Sequence, residues 1–281
     1  VRFELKGRMS WINNWSTSIG LGLNTNFYDN FFLRGGPRWR RPDTSFSYLF
    51  FNSDSSKLFS FTLGYSNRGS SERVVGRDRY VIRTNYQLSD AFSMSFNIEY
   101  ANLFDRTQYV TETTGTGVNT DTRYILGRIQ NQTLTTTLRL NYSFTPDISL
   151  QFYGQPFISK GRFTDLNFVL NPLGNSINDR ISVYNEQQIA LENDRYIIDE
   201  NTDGVTDYSF ANPDFSFAQL QTNLVARWEY IPGSEIFLVW ARGAVGDANL
   251  SNSLVDSVSE QVFEAPASDT FLVKFTYRFA R

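Results

Sequence analysis

The segment Thr122-Arg-Tyr-Ile-Leu-Gly-Arg-Ile-Gln-Asn-Gln-Thr-Leu-Thr-Thr-Thr-Leu-Arg-Leu-Asn-Tyr-Ser-Phe144 decides how the chain is read. From Leu134 onward its side chains alternate. Leu134, Thr136, Leu138, Leu140, Tyr142 and Phe144 fall on one face, and Thr135, Thr137, Arg139, Asn141 and Ser143 on the other. A period of two marks a β-strand with one apolar and one polar face. The segment either hinges near Asn131 into two strands or runs through as one long strand. The choice matters because each strand added or removed reverses the rim on which every later turn lies.

The same alternation recurs in both directions. Trp15, Thr17, Ile19, Leu21 and Leu23 oppose Ser16, Ser18, Gly20, Gly22 and Asn24. Phe92, Met94, Phe96, Ile98 and Tyr100 oppose Ser93, Ser95, Asn97 and Glu99. Near the end, Phe271, Val273, Phe275, Tyr277 and Phe279 oppose Lys274, Thr276 and Arg278. No convincing amphipathic helix is visible, and no apolar run reaches the roughly 18 residues a transmembrane helix needs. The chain is expected to be all-β.

Soluble sandwiches alternate too, so the connections must separate the two cases. Short connections are expected at Asn13-Asn14, Asn52–Ser56, Ser89-Asp90, Pro146-Asp147 and Pro232–Ser234. Long ones are expected at Tyr28–Pro42, Asn67–Asp78, Asn102–Asp121, Gly161–Pro213 and Gly243–Asp269. With Thr122–Phe144 as one strand, they read short, long, short, long to the end of the chain. Outer-membrane barrels connect their strands this way, with tight periplasmic turns and long extracellular loops. The reading gives eleven strands, at about 1–12, 15–27, 44–52, 57–67, 78–88, 91–104, 122–144, 148–162, 215–230, 235–243 and 270–279.

The fold class expected is therefore a transmembrane antiparallel meander β-barrel, forming one domain over residues 1–281. Single-chain bacterial barrels have even strand numbers and periplasmic termini. An eleven-strand stretch then implies missing upstream strands, an even total of at least twelve, and a periplasmic C-terminus. Val1 opens the sequence with neither an initiator Met nor a leader, which fits a mature or truncated N-terminus.

Composition narrows the function. The 281 residues include no Cys and no His, which removes disulfides, thiolate metal sites, Ser-His-Asp hydrolysis and imidazole acid/base chemistry. Lys and Arg total 26 against 29 Asp and Glu, so there is no basic footprint for nucleic acid. The 25 Phe, 15 Tyr and 5 Trp need a surface that welcomes aromatic rings, and a membrane interface is one. Trp11, Trp15, Phe92, Tyr142, Phe144, Trp228, Tyr230, Tyr277 and Phe279 flank the short turns and are expected to form a headgroup girdle. Filling a soluble core is the alternative use of these rings.

Three features are candidates for function. The face opposite the apolar stripe holds Arg2, Glu4, Lys6, Arg8, Arg79, Arg83, Glu99, Arg139, Arg227, Glu229, Lys274 and Arg278. It reads either as a polar or anion-preferring path, or as a lumen filled by mutually satisfied charge pairs or a plug. The second feature is Asp199, Asn201, Asp203, Val205 and Asp207, which match positions 1, 3, 5, 7 and 9 of a calcium loop, with Gly204 at the turn position. Position 12 is Phe210 in place of the usual bidentate Glu, so Glu200, Asp214 or a water would have to substitute. A solvated acidic turn is the other reading; calcium is the one possible cofactor. The third is the basic, aromatic run Arg34–Pro42, either a contact for acidic saccharide or a partner protein, or a structured turn at the barrel mouth. Thr111–Thr122 reads as a flexible loop tip.

Several of these stretches resemble a known family. Thr136–Phe157, Arg34-Gly-Gly-Pro37, the 199–207 turn followed by Asn212–Phe217, and Arg227–Trp240 are similar to the barrel region of an uncharacterised outer-membrane family of Bacteroidota, domain of unknown function 5916. Its larger members carry an N-terminal domain similar to family 9 carbohydrate-binding modules. The resemblance implies a bacterial source and a barrel belonging to a longer protein. It implies no catalytic residues, and it suggests carbohydrate binding only for a part not contained in this sequence.

The function expected is a non-enzymatic outer-membrane barrel, acting as a surface-exposed binding or transport-associated component with large extracellular loops. A structural subunit of a larger outer-membrane complex and a carboxylate-dependent glycan hydrolase are the alternatives. Partners expected are the outer-membrane bilayer, other outer-membrane proteins or lipoproteins, and saccharide, with no nucleic acid.

Overall fold

The computed structural model describes residues 1–25, 27–115, 121–247, 250–251, 253–263 and 265–279. Strands β1 (Arg2–Ser10) and β2 (Ser16–Asn24) form the first hairpin. A two-residue ladder, β3 (Tyr28–Asp29) with β4 (Trp39–Arg40), ties the following loop before β5 (Thr44–Asn52) and β6 (Phe59–Ser70). β7 (Val75–Ser89) leads to three long strands, β8 (Phe92–Thr114), β9 (Thr122–Thr145) and β10 (Ile148–Val169). Helix α1 (Ile177–Arg180), β11 (Ile181–Val183), β12 (Ile189–Glu192), β13 (Arg195–Ile198) and β14 (Tyr208–Ala211) occupy the next connection. β15 (Phe215–Ile231), β16 (Ser234–Gly246), helix α2 (Leu254–Phe263) and β17 (Ser268–Thr276) complete the chain.

Eleven strands hydrogen-bond in the order β1-β2-β5-β6-β7-β8-β9-β10-β15-β16-β17, each antiparallel to the next, with β11 added beside the end of β10. The fold is an antiparallel meander wall, open between β1 and β17 among the described residues. Residues 122–145 form one uninterrupted strand, as the alternation of turns requires. Asn131 does not hinge: it is in register with Leu103 and Gly161, and its amide donates to Ser159 Oγ (2.9 Å) and to the Lys160 carbonyl (3.0 Å).

The expected long loops are shorter than the sequence suggests. In place of an Asn67–Asp78 loop, β6 and β7 run on to Ser70 and from Val75, pairing Asn67 with Asp78 and Arg68 with Arg77. The loops placed at Asn102–Asp121, Gly161–Pro213 and Gly243–Asp269 likewise begin with strand, to Thr114, Val169 and Gly246. The physical reason is that two different constraints end at different heights. Apolar alternation is imposed only where one face of a strand is apolar and the other polar, whereas backbone pairing continues for as long as a partner strand is beside it. Part of the Thr111–Thr122 loop also extends β8 and β9, and residues 116–120 lie outside the described ones.

Register separates the faces. Leu5, Leu21 and Ser47 line up across β1, β2 and β5, and Ile19 with Leu49 and Tyr65 across β2, β5 and β6. Tyr65, Tyr80, Tyr100 and Leu134 continue the row to β9. On this outer face the rings meet edge to face, as at Phe92–Tyr142 and Tyr142–Phe144, where the centroids lie 6.1 and 4.5 Å apart. Trp11, Tyr142, Phe144, Trp228, Tyr277 and Phe279 are exposed here, close to the short-turn rim. The opposite, lumen face carries Ser, Thr, Asn, Arg and small residues. On it Tyr48 covers Gly20 of the neighbouring strand so closely that a Cβ there would lie 2.2 Å from the ring; Phe46 covers Gly22 in the same way. Such cross-strand cover protects the glycine backbone and pins the register.

Two small cores stand at the long-loop side. Ile125, Ile129, Phe163, Phe168, Ile198, Tyr208 and Phe210 are buried together where the β12-β13-β14 sheet folds onto the lumen face of β9 and β10. Leu33, Trp39, Val74, Leu126, Ile177 and Ile181 form the second, on the other face of the same strands. Helix α2 lies against β10, β15 and β16, where Lys160 Nζ donates to Ser257 Oγ (2.6 Å). Among the described residues no helix is long and apolar enough to cross a membrane.

Candidate functional site

The lumen wall brings most of the sequence-predicted charges onto one face and closes many of them into pairs. Arg79 clasps Glu99 with both ends of its guanidinium, at 2.5 and 2.6 Å. Arg227 joins Glu229 (2.8 Å) and Glu235 (2.5 Å). Glu4 sits between Arg2 (3.1 Å) and Lys6 (3.2 Å) within β1. Arg139 lies over the Tyr153 ring and Lys274 over Phe237, with the cations 5.3 and 5.5 Å from the centroids. Arg278 is placed past the end of β17, its side chain against Gly233 and its N–H donating to Ser234 Oγ (3.0 Å) at the short-turn rim.

Two lumen arginines escape a sequence reading altogether. Arg68 and Arg77 lie in the stretch that reads as a loop, yet they face one another directly across β6 and β7. They line a depression of about 420 Å³ together with Arg79, Glu99, Phe46 and Tyr48. The only sequence signal was indirect: the spacing of Arg68 from Ser66 and of Arg77 from Arg79 keeps the lumen period of two.

The 199–207 turn joins β13 to β14. Its oxygens are turned largely onto its own backbone. Asp199 accepts from the N–H groups of Asp203 (3.1 Å) and Gly204 (2.7 Å), Asn201 Oδ1 from Asp203 N–H (3.0 Å), and Asp203 Oδ1 from Val205 N–H (2.8 Å). Gly204 takes a φ of +86°, which suits the residue at this position. Asp207 is buried and accepts from Glu200 N–H at 2.7 Å. The two substitutes for the missing twelfth ligand are engaged elsewhere: Glu200 with Arg123 (2.9 and 3.0 Å) and Tyr208 (2.7 Å), and Asp214 with Phe163 N–H (2.6 Å). Phe210, at the twelfth position itself, is in the buried core. Among the described residues no three acidic groups gather as a metal-binding cluster.

Glu200 is thus the centre of a partly buried network. Tyr208 donates to it and in turn shares a 2.8 Å hydroxyl contact with Tyr184. Burial drives the ionisation of both tyrosines well above the ordinary phenol range, and the neighbouring carboxylate adds to this.

In the Arg34–Pro42 run the cations are taken up by neighbouring rings and carboxylates. Arg34 lies over Tyr109, Arg38 over Tyr28, and Arg41 over Phe32 while bonding Asp29 at 3.1 Å. Trp39 is fully buried, and Arg180, itself buried, donates to the Arg40 carbonyl (2.7 Å) and pairs with Glu72 (2.7 Å). The run is anchored to the long-loop core through Trp39, while Arg34, Gly35, Pro37 and Arg38 stay exposed.

Solved structures with similarity to the chain include the siderophore receptor PiuA from Acinetobacter baumannii, at 12% identity and a TM-score of 0.46 over 98% of this chain and 44% of that one. The copper transporter OprC matches at 10% identity and a TM-score of 0.40, over 92% of this chain and 36% of its own. The NanC porin matches at 10% identity and a TM-score of 0.28, over 98% and 93%. The chain spans less than half the length of the first two. No curated protein sequence matches it. Residues 1–279 match the family model described as Domain of unknown function (DUF5916), and the chain belongs to that family.

Proposed function

We propose that this chain is a wall of a non-enzymatic bacterial outer-membrane β-barrel that serves surface binding or solute passage, with its short turns and C-terminus in the periplasm. One observation carries the reading: a continuous eleven-strand antiparallel wall exposes apolar and aromatic side chains on one face and polar, charge-paired ones on the other. Water would penalise the first face and hydrocarbon the second, so a bilayer outside and a polar lumen inside satisfy both. The unpaired edges at β1 and β17 would be intolerable in hydrocarbon, and further strands that complete the barrel would remove them. The absence of His and Cys supports a non-catalytic role.

The test is membrane fractionation of the whole protein, followed by gel migration with and without boiling. Recovery in the outer membrane with a heat-modifiable band supports the reading; recovery as a detergent-free soluble monomer ends it. Conductance in planar bilayers then separates the two modes, since steady single-channel steps mean passage. A silent protein that copurifies in fixed ratio with another outer-membrane component would instead be an accessory subunit.

The oxygen spacing of residues 199–207 supports a separate proposal, a weak calcium site using Asp199, Asn201, Asp203 and the Val205 carbonyl, with Asp207 brought in by a local turn change. Calorimetry on the folded protein should show calcium-dependent heat that Asp203→Ala abolishes. No heat at millimolar calcium would leave the turn as a backbone-stapled connection.

A further inference from the structure

Arg68 and Arg77 are directly opposed across β6 and β7, on the lumen face near the long-loop mouth. Like charges set directly opposite in a sheet are destabilising, whereas almost any neutral pair would not be. Among the described residues that line the depression the one carboxylate, Glu99, is already held by Arg79 at 2.5 and 2.6 Å. The set Arg68, Arg77, Arg79 and Glu99 therefore keeps an excess of two positive charges, in a hollow of about 420 Å³.

Ring faces bound one side of the hollow. Phe46 and Tyr48 cover the glycines of β2, and Arg2 stands 4.9 Å from the Phe46 centroid, adding a further cation whose own partner is Glu4. Two opposed guanidinium groups, each offering a planar fork of N–H donors, match the oxygen geometry of a doubly charged oxyanion. Elsewhere this face closes several of its charges internally, as at Arg227 with Glu229 and Glu235. Here the wall leaves them open.

We propose that this hollow is a binding site for solutes bearing a dianionic oxyanion, a phosphate or a dicarboxylate, at the outer mouth of the lumen. The proposal rests on the barrel reading above and adds the ligand class. The cost of the opposed arginines in the empty protein is what the bound anion relieves.

The experiment uses the whole protein, folded in detergent and verified by heat-modifiable migration. Thermal unfolding is followed with inorganic phosphate, with malonate, and with chloride at matched ionic strength. Phosphate or malonate should raise the midpoint in the wild type beyond chloride, and whichever acts more strongly identifies the oxyanion source. Arg77→Gln and Arg68→Gln should each weaken anion binding at least tenfold by calorimetry, while leaving the anion-free midpoint unchanged or higher. Arg83→Gln, elsewhere on the lumen face, should retain binding. A heat-modifiable wild type that gains nothing over chloride overturns the site and leaves the barrel standing, as do variants that bind as well as wild type. A protein that is not heat-modifiable overturns the barrel reading first.

Discussion

At Glu200 one carboxylate accepts from both ends of the Arg123 guanidinium and from the Tyr208 hydroxyl, joining a loop residue to β9 across 77 positions of sequence. Both charged side chains are largely covered, at 14% and 19% exposure, so removing one strands the other in poorly solvated surroundings. Glu200→Ala is expected to destabilise the β12-β13-β14 cap by about 3 kcal/mol, read as accelerated hydrogen exchange over residues 195–211. Glu200→Gln should cost less, because the Tyr208 hydroxyl keeps an acceptor. The tyrosines add a pH dependence with a definite sign. Their folded ionisation lies above that of the unfolded chain, so their contribution is complete below about pH 10 and falls as pH rises past it. Exchange of the cap should rise above about pH 10 in the wild type and less so in a Tyr184→Phe variant. None of this was legible in the sequence. Glu200 reads there as a spare oxygen for calcium, because nothing local announces that Arg123 will lie beside it.

Among the strands, legibility follows the solvent. Where one face of the wall is apolar and the other polar, the period of two is strict, which is why β2, β8 and β17 could be placed from Trp15–Leu23, Phe92–Tyr100 and Phe271–Phe279 alone. Beyond those stretches both faces meet protein or water, so the extensions of β6 to Ser70 and β10 to Val169 carry no such pattern. Helix α2 was equally hidden, a ten-residue segment with only a short apolar stripe. The glycines test the packing directly. Gly20→Val would drive a branched side chain into the Tyr48 ring, where even a Cβ has 2.2 Å, and should lower the yield of folded, heat-modifiable protein several-fold. Gly69→Ala, with nothing within 4 Å of the new Cβ, should leave the yield unchanged.

For the whole molecule, the strand number of the wall could be read from turn spacing, because a meander turns each connection to the opposite rim from the last. The lopsidedness of the wall could not. β1, β2 and β5 have nine residues each, whereas β8, β9 and β10 have 23, 24 and 22. At about 3.3 Å per residue, β9 measures about 80 Å, well over twice what a bilayer's hydrocarbon needs even from a tilted strand. Whole cells treated with a nonspecific protease should therefore leave the braced β8–β10 tower, and the loop of residues 28–42 packed against it, intact until the membrane is dissolved; early cleavage within 160–170 would contradict this. A rim so uneven gives the opening a direction. In the proposed orientation a bulky arrival from outside, such as a folded protein, meets β8, β9 and β10 as a cliff, with the loop of residues 28–42 leaning against it.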